Sequence, residues 1–267
     1  DGTFYERNEV FSNLGFDTFT SIEYMHVNDV TGGGWAKDYY LTQHIMDCLE
    51  STETVDYVYT ISVQGHGKYP EEINPDEYDI LAYNSDGTIN PGFTYFVQQT
   101  HEMDAFVKEL LDTLKEFNEK TVVVMYGDHL PSLEITNDRL INGDIYQTEY
   151  IVWSNYKLEN VNKNLEAYQL GSHIMDMLDI DTGIISLYHR FFSDNDNYLD
   201  NLQVLQYDML YGENEVYGGN TPYLPTELQM GIWPITIEDV FFSREEVLYI
   251  KGNNFTRYSV VLLDGKN

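Results

Sequence analysis

Eleven residues, Thr121-Val-Val-Val-Met-Tyr-Gly-Asp-His-Leu-Pro131, constrain this chain more than any others. A β-branched apolar run reads as a buried strand. It stops at Gly127, and Asp128 and His129 follow at once. In α/β folds, ligands gather just past the carboxyl ends of the strands. An oxygen donor and a nitrogen donor placed there by one tight turn suit a divalent metal such as zinc or manganese. The same residues also read as a plain surface turn with two polar side chains.

The pattern around this strand alternates. Residues 36 to 50 carry apolar positions at helical spacing (Tyr40, Leu41, Ile45, Met46, Leu49). Asp56 to Val63 reads as a strand, and it ends in a glycine-rich turn with His66 at its tip. Phe93 to Asn118 reads as a long amphipathic helix with Phe96, Met103, Phe106, Leu110, Leu111, Leu114 and Phe117 on its apolar stripe. Tyr150 to Trp153 is a further strand, and 165 to 179 a further helix. Strand, helix, strand, helix predicts an α/β fold, a mostly parallel sheet with helices on both faces. Two strands then end in histidine-bearing turns, at His66 and His129, along one sheet edge.

From about Phe191 the pattern changes. Residues 191–234 are rich in Tyr, Asn, Gly and Pro with little periodicity and read as a connecting arm. Residues 235–267 read as short strands, Ile235–Ile237, Val247–Ile250 and Tyr258–Leu263, with Gly252 to Phe255 as the turn between the last two. This is the expected start of an immunoglobulin-like module. The chain opens on Asp1-Gly2 and closes on a strand entering a turn, as an excised segment of a longer protein would.

Charge limits the partners. With 45 acidic against 14 basic residues the formal net charge is −31, so no basic surface exists to displace counterions from nucleic acid. The same balance opposes docking on anionic lipid through a basic patch. A solvated outer surface is the plain reading of this acidity. Cys48 is the only cysteine, which rules out an intrachain disulfide. No apolar run approaches the roughly 18 residues of a membrane span.

Three segments together carry a resemblance: Tyr126-Gly-Asp-His-Leu-Pro-Ser132, Ser62-Val-Gln-Gly-His-Gly-Lys-Tyr-Pro70 and Tyr146-Gln-Thr-Glu-Tyr-Ile-Val-Trp-Ser-Asn155. With the opening Asp1-Gly-Thr-Phe-Tyr-Glu-Arg-Asn8 and Leu14-Gly-Phe-Asp17, residues 1–190 resemble the extracellular domain of the lipoteichoic acid synthase family. These are membrane-anchored, sulfatase-like phosphoglycerol transferases of the alkaline phosphatase superfamily. Tyr249-Ile-Lys-Gly-Asn-Asn-Phe-Thr256 resembles the start of an immunoglobulin-like TIG module.

The resemblance implies roles for particular residues. Asp128 and His129 match a pair of metal ligands for one Mn²⁺ or Mg²⁺ ion, with Zn²⁺ less favoured. His66 matches a histidine that contacts the phosphate and assists the leaving group. Trp35-Ala36-Lys37 matches a Trp-x-basic element of the substrate pocket. Lys37 stands where the family often has Arg, which loses a two-pronged phosphate grip. His26 and Asp29 sit near further pocket positions, with imperfect spacing. The family's Glu ligand and Thr nucleophile match nothing here and are expected upstream. The piece alone is therefore expected to be inactive and to hold metal weakly.

The implied substrate is an anionic lipid headgroup, with glycerol phosphate passed to an envelope glycolipid or polymer. The implied place is the outer face of a bacterial membrane, reached only through an upstream anchor. A sulfatase or phosphodiesterase of the same superfamily shares the metal turn and remains open, as does a catalytically silent module that binds envelope polymer. The other histidines, His44, His101, His173 and His189, read as packing, surface or locally hydrogen-bonded residues.

Overall fold

A computed structural model describes residues 2–159 and 161–262. In chain order, α1 spans Arg7–Asn13, β1 Thr18–Phe19, α2 Tyr40–Glu50, α3 Pro91–Glu116, β2 Val122–Tyr126 and β3 Tyr150–Ser154. Then follow α4 Leu170–Met177, α5 Ile184–Phe192, α6 Tyr198–Tyr211, β4 Gln229–Met230, β5 Thr236–Phe242 and β6 Leu248–Asn253. The chain forms two compact units, one of Asp1–Glu119, Val123–Trp153 and Thr226–Asn267, the other of Lys120–Val122 and Ser154–Pro225.

The first unit is built on α3. Asn90 starts this helix, because its side-chain oxygen accepts the Phe93 N–H at 3.0 Å while Pro91 needs no partner for its nitrogen. The expected apolar stripe then forms the core. Phe106, Leu110 and Leu114 pack with Met46 of α2, and Val123 and Trp153 of the two strands close over them. Leu114 is 1% exposed. Burying a side chain of that size contributes about 1.5–3 kcal/mol.

Strands β2 and β3 pair in opposite directions. The Gly127 N–H donates to the Glu149 carbonyl at 3.2 Å, and the Asn155 N–H donates to the Thr121 carbonyl at 3.2 Å. Strands β1 and β4 pair in parallel, Thr18 with Gln229 and Phe19 with Met230. Strands β5 and β6 form an antiparallel hairpin whose register breaks between Ile237 and Asp239.

Several segments differ from expectation. Asp56–Val63 joins no ladder among the described residues. Its composition favours a strand, but a strand also needs a neighbour to take its backbone bonds. Val55, Tyr57, Tyr59 and Ile61 are exposed, and Tyr57 and Tyr59 lean on Phe16. Within 191–234, expected to lack periodicity, α6 runs for 14 residues and β4 joins the first unit's parallel pair. Its buried face is only Tyr198 and Leu202, too sparse to show as a stripe. Tyr258–Leu262 forms no strand among the described residues, and Leu263 and Asp1 lie outside them.

Candidate functional site

The two histidine turns meet. The rings of His66 and His129 lie edge to face with centroids 6.4 Å apart. A Cβ placed on Gly67 would stand 3.4 Å from Ser132 Oγ, so the 62–70 and 126–132 motifs are in contact. Trp35 joins them, its ring edge-on to His66 at 4.8 Å and its Nε1–H donating to the Gly67 carbonyl at 2.8 Å. Thus His66, His129 and Trp35 gather from three separate stretches of sequence.

Both imidazoles are oriented by backbone carbonyls. His66 Nδ1 lies 2.6 Å from Gly67 O, and His129 Nδ1 lies 2.8 Å from Leu130 O. A carbonyl only accepts, so each Nδ1 carries the proton and donates. Each Nε2 of the neutral ring then holds a lone pair, the form that accepts a proton or ligates a metal.

Asp128 and His129 sit just past β2, where Gly127 turns the chain. The Thr148 hydroxyl donates to the Gly127 carbonyl at 2.7 Å. Asp128 Oδ1 accepts the His129 N–H at 2.9 Å, and Asp128 Oδ2 stands 3.6 Å from His129 Nε2. Both side chains are mostly exposed, 80% and 64%. Two donors about 2.1 Å from one ion lie about 3.0 Å apart as octahedral neighbours and about 3.4 Å apart at a tetrahedral angle, a small side-chain rotation from the 3.6 Å seen here. The pair therefore fits two ligands of one divalent cation. No group of three His, Cys, Asp or Glu side chains suited to a metal occurs among the described residues. Tyr126, at the end of the strand, has its phenol pushed up to about 12 by burial, by a hydrogen bond with Tyr59 and by nearby Tyr57 and Asp128. It stays neutral at physiological pH.

Lys37 is already engaged. Its ammonium is ion-paired and hydrogen-bonded to Glu102 of α3. Burial alone raises the Glu102 carboxyl, but hydrogen bonds from Lys37, Gln98 and Gln64, with the Lys37 charge, outweigh it and hold the carboxyl below the ordinary carboxylate range. The positive charge expected of Lys37 is therefore offset within the fold. His26 and Asp29 are exposed, and the Asn28 and Asp29 N–H groups donate to the Tyr40 hydroxyl. His101 is exposed on α3, and His44 is half-buried, its pKa lowered by that burial. In the second unit His173 and His189 are buried, and His189 Nδ1 meets the Tyr198 hydroxyl at 2.6 Å.

Sequence reading missed Asp38, Gln64 and Glu102. A signal existed on α3, where Thr94, Gln98, Gln99 and Glu102 put polar side chains along one helical face. Thr94, Gln98 and Gln99 are buried there. A polar row inside an amphipathic helix implies polar partners packed against it.

Known proteins resemble this chain in sequence and in fold. Residues 1–180 match the Sulfatase family model. A Rhizobium meliloti protein assigned to cyclic beta-1,2-glucan modification is 30% identical over 58% of this chain and 26% of its own length. Lipoteichoic acid synthase 2 of Bacillus subtilis is 26% identical over 67% of this chain and 29% of its own length. This chain thus spans about a quarter of the length of these curated relatives. The Streptococcus pyogenes phosphoglycerol transferase GacH, solved with sn-glycerol-1-phosphate, superposes with a TM-score of 0.64 at 20% identity. That match covers 78% of this chain and 58% of the other, and shows a shared α/β fold. With the family model matching well over half of its residues, this chain belongs to the sulfatase family, and lipoteichoic acid synthases are among its relatives.

Proposed function

We propose that this chain is part of a metal-dependent enzyme that transfers phosphoglycerol, or a related phospho group, from a lipid headgroup to an envelope glycolipid or polymer. The observation that carries the reading is the meeting of the His66 turn and the Asp128–His129 turn, with ring centroids 6.4 Å apart. The names of the relatives support it: a phosphoglycerol transferase, lipoteichoic acid synthases and a protein tied to a glucan. Within the reading, 1–190 is the catalytic part, 191–234 a connection and 235–267 the beginning of an immunoglobulin-like module.

Asp128 Oδ and His129 Nε2 would hold the divalent ion, Mn²⁺ or Mg²⁺. When bound, the ion activates the nucleophile and neutralises non-bridging phosphate oxygens. His66 performs the proton work. With Nδ1–H held by the Gly67 carbonyl, a proton is taken up and released at Nε2. As an oxygen nucleophile bonds to the phosphorus, the P–O bond to the diacylglycerol breaks, and that departing oxygen receives the proton that Nε2 had taken up. Trp35 forms an apolar wall beside the ring. Lys37 contributes less positive field than its charge suggests, because Glu102 accompanies it. The place of action is the outer face of a bacterial membrane. Among the described residues no helix is long and apolar enough to cross a membrane.

The test is turnover of the full-length enzyme on a phosphatidylglycerol-type lipid carrying a labelled headgroup. His66→Ala is expected to lower transfer by about 10²–10⁴-fold, the usual contribution of a positioned acid–base group. Asp128→Ala is expected to abolish metal-dependent transfer. Unchanged transfer in both variants contradicts the reading. Hydrolysis of a sulfate ester without headgroup transfer would favour a sulfatase instead, and binding of envelope polymer without turnover a silent module.

A further inference from the structure

A carboxylate taken out of water is costly unless hydrogen bonds replace its hydration. Asp38, just before α2, is 2% exposed. Its acceptors serve one turn. Oδ2 receives the Ser62 hydroxyl at 2.7 Å, and Oδ1 receives the Val63 and Gln64 N–H groups at 3.2 and 3.3 Å. The bond is returned by the Asp38 N–H, which donates to Gln64 Oε1 at 2.7 Å. Gln64, also 2% exposed, passes the link on, its Nε2 donating to Gln99 at 3.0 Å and to Glu102 at 2.6 Å.

The turn so held is the one that presents His66. The His66 N–H donates to the Val63 carbonyl at 3.0 Å, and the Tyr69 hydroxyl donates to the Gly65 carbonyl at 3.1 Å. The Gly67 carbonyl, which receives His66 Nδ1–H, also receives the Trp35 indole N–H, and Trp35 lies three residues before Asp38. The 62–67 segment is therefore fastened to the 35–38 segment at both ends.

We propose that Asp38 is the positioning residue for His66, fixing the turn so that the imidazole stays in the Nδ1–H tautomer with Nε2 facing the site. The inference rests on the proposed role of His66 for its purpose, and on the Asp38 bonds for its geometry. Asp38 acts through the backbone of Val63 and Gln64 and touches no reacting atom. A carboxylate suits the task because one planar group accepts from two adjacent N–H groups and a hydroxyl together.

The test reads the His66 ring directly. Two-bond ring ¹⁵N–¹H correlations are recorded on the full chain at a pH of about 8, above the reference imidazole pKa of about 6.5. The wild type is expected to show His66 as the Nδ1–H tautomer. In Asp38→Ala the two His66 ring nitrogens are expected to move towards averaged shifts, as both tautomers become populated. The His129 signals are expected to stay, because its carbonyl partner is Leu130. A purely structural Asp38 would lower stability and leave the His66 tautomer in place, and that result overturns the proposal.

Should Asp38→Ala fail to fold, Ser62→Ala and Asp38→Asn weaken the same bonds by smaller steps. Each is then expected to shift His66 partway, and an unmoved His66 in both folded variants is equally decisive against the proposal. Activity separates the two claims. A disturbed His66 tautomer with undiminished transfer supports the positioning and overturns the role given to His66. An undisturbed tautomer overturns the positioning whatever the activity.

Discussion

The two turns that meet at the candidate site are built in opposite ways. The His66 turn hangs on two residues each 2% exposed, Asp38 and Gln64, and through them on α3. The Asp128–His129 turn is held by its own neighbours: Asp128 caps the next N–H, and His129 bonds the next carbonyl. Its side chains are exposed. The first turn is ordered by the fold before any ligand arrives. The second presents an exposed oxygen and nitrogen, the pair proposed to meet a cation. The fold thus fixes the group proposed to move a proton and leaves exposed the pair proposed to meet the metal.

The largest effect should come from the support common to both turns. Leu114→Ala opens a cavity where α2, α3, β2 and β3 meet and should cost about 2–5 kcal/mol. Urea unfolding measures it, and a loss under 1 kcal/mol would mean that this core does not carry the first unit.

Asp38→Ala leaves the Val63 and Gln64 N–H groups without their acceptor and should cost about 1–3 kcal/mol. Asp128→Ala frees only the His129 N–H, which water can reach, and should stay within about 0.5 kcal/mol. Equal losses in the two variants would erase the contrast.

The smallest effect is one of pH. Glu102 has a folded pKa below its ordinary value of 4.5, so the unfolded chain binds the proton first as pH falls. The stabilisation is fully present above pH 4.5 and disappears as pH drops through the lowered folded value. Glu102→Gln should therefore flatten the decline of stability below pH 4.5, measured by urea midpoints across that range. An unchanged acid limb would mean that the Lys37–Glu102–Gln64 cluster adds nothing to the hold on the His66 turn.

How far the sequence disclosed all this depends on range. Strand β2, strand β3, helix α2 and helix α3 were legible because apolar periodicity is local. The meeting of His66 and His129 was expected from two strand ends on one sheet edge, yet 56–63 pairs in no ladder among the described residues, so the turns meet without that edge. The Asp38 clamp was not, since Asp38 and Gln64 lie 26 residues apart and a single buried Asp leaves no periodic trace. Lys37 was visible as a charge, while Glu102, which offsets it, lies 65 positions away. The 56–63 segment has the composition of a strand, yet its ladder depends on neighbours that composition does not name.

The central claim is that the two turns form one site with the metal pair at its exposed side. Titrating Mn²⁺ into the isotopically labelled chain tests it most directly, because a paramagnetic ion broadens nearby signals. With a net charge of −31, weak broadening over the acidic surface is expected everywhere. Above that background, the account predicts preferential loss of the Asp128, His129 and His66 signals at the lowest additions. It also predicts that this preference vanishes in Asp128→Ala. Uniform broadening with no preference for these residues, or a preference that survives Asp128→Ala, would contradict it.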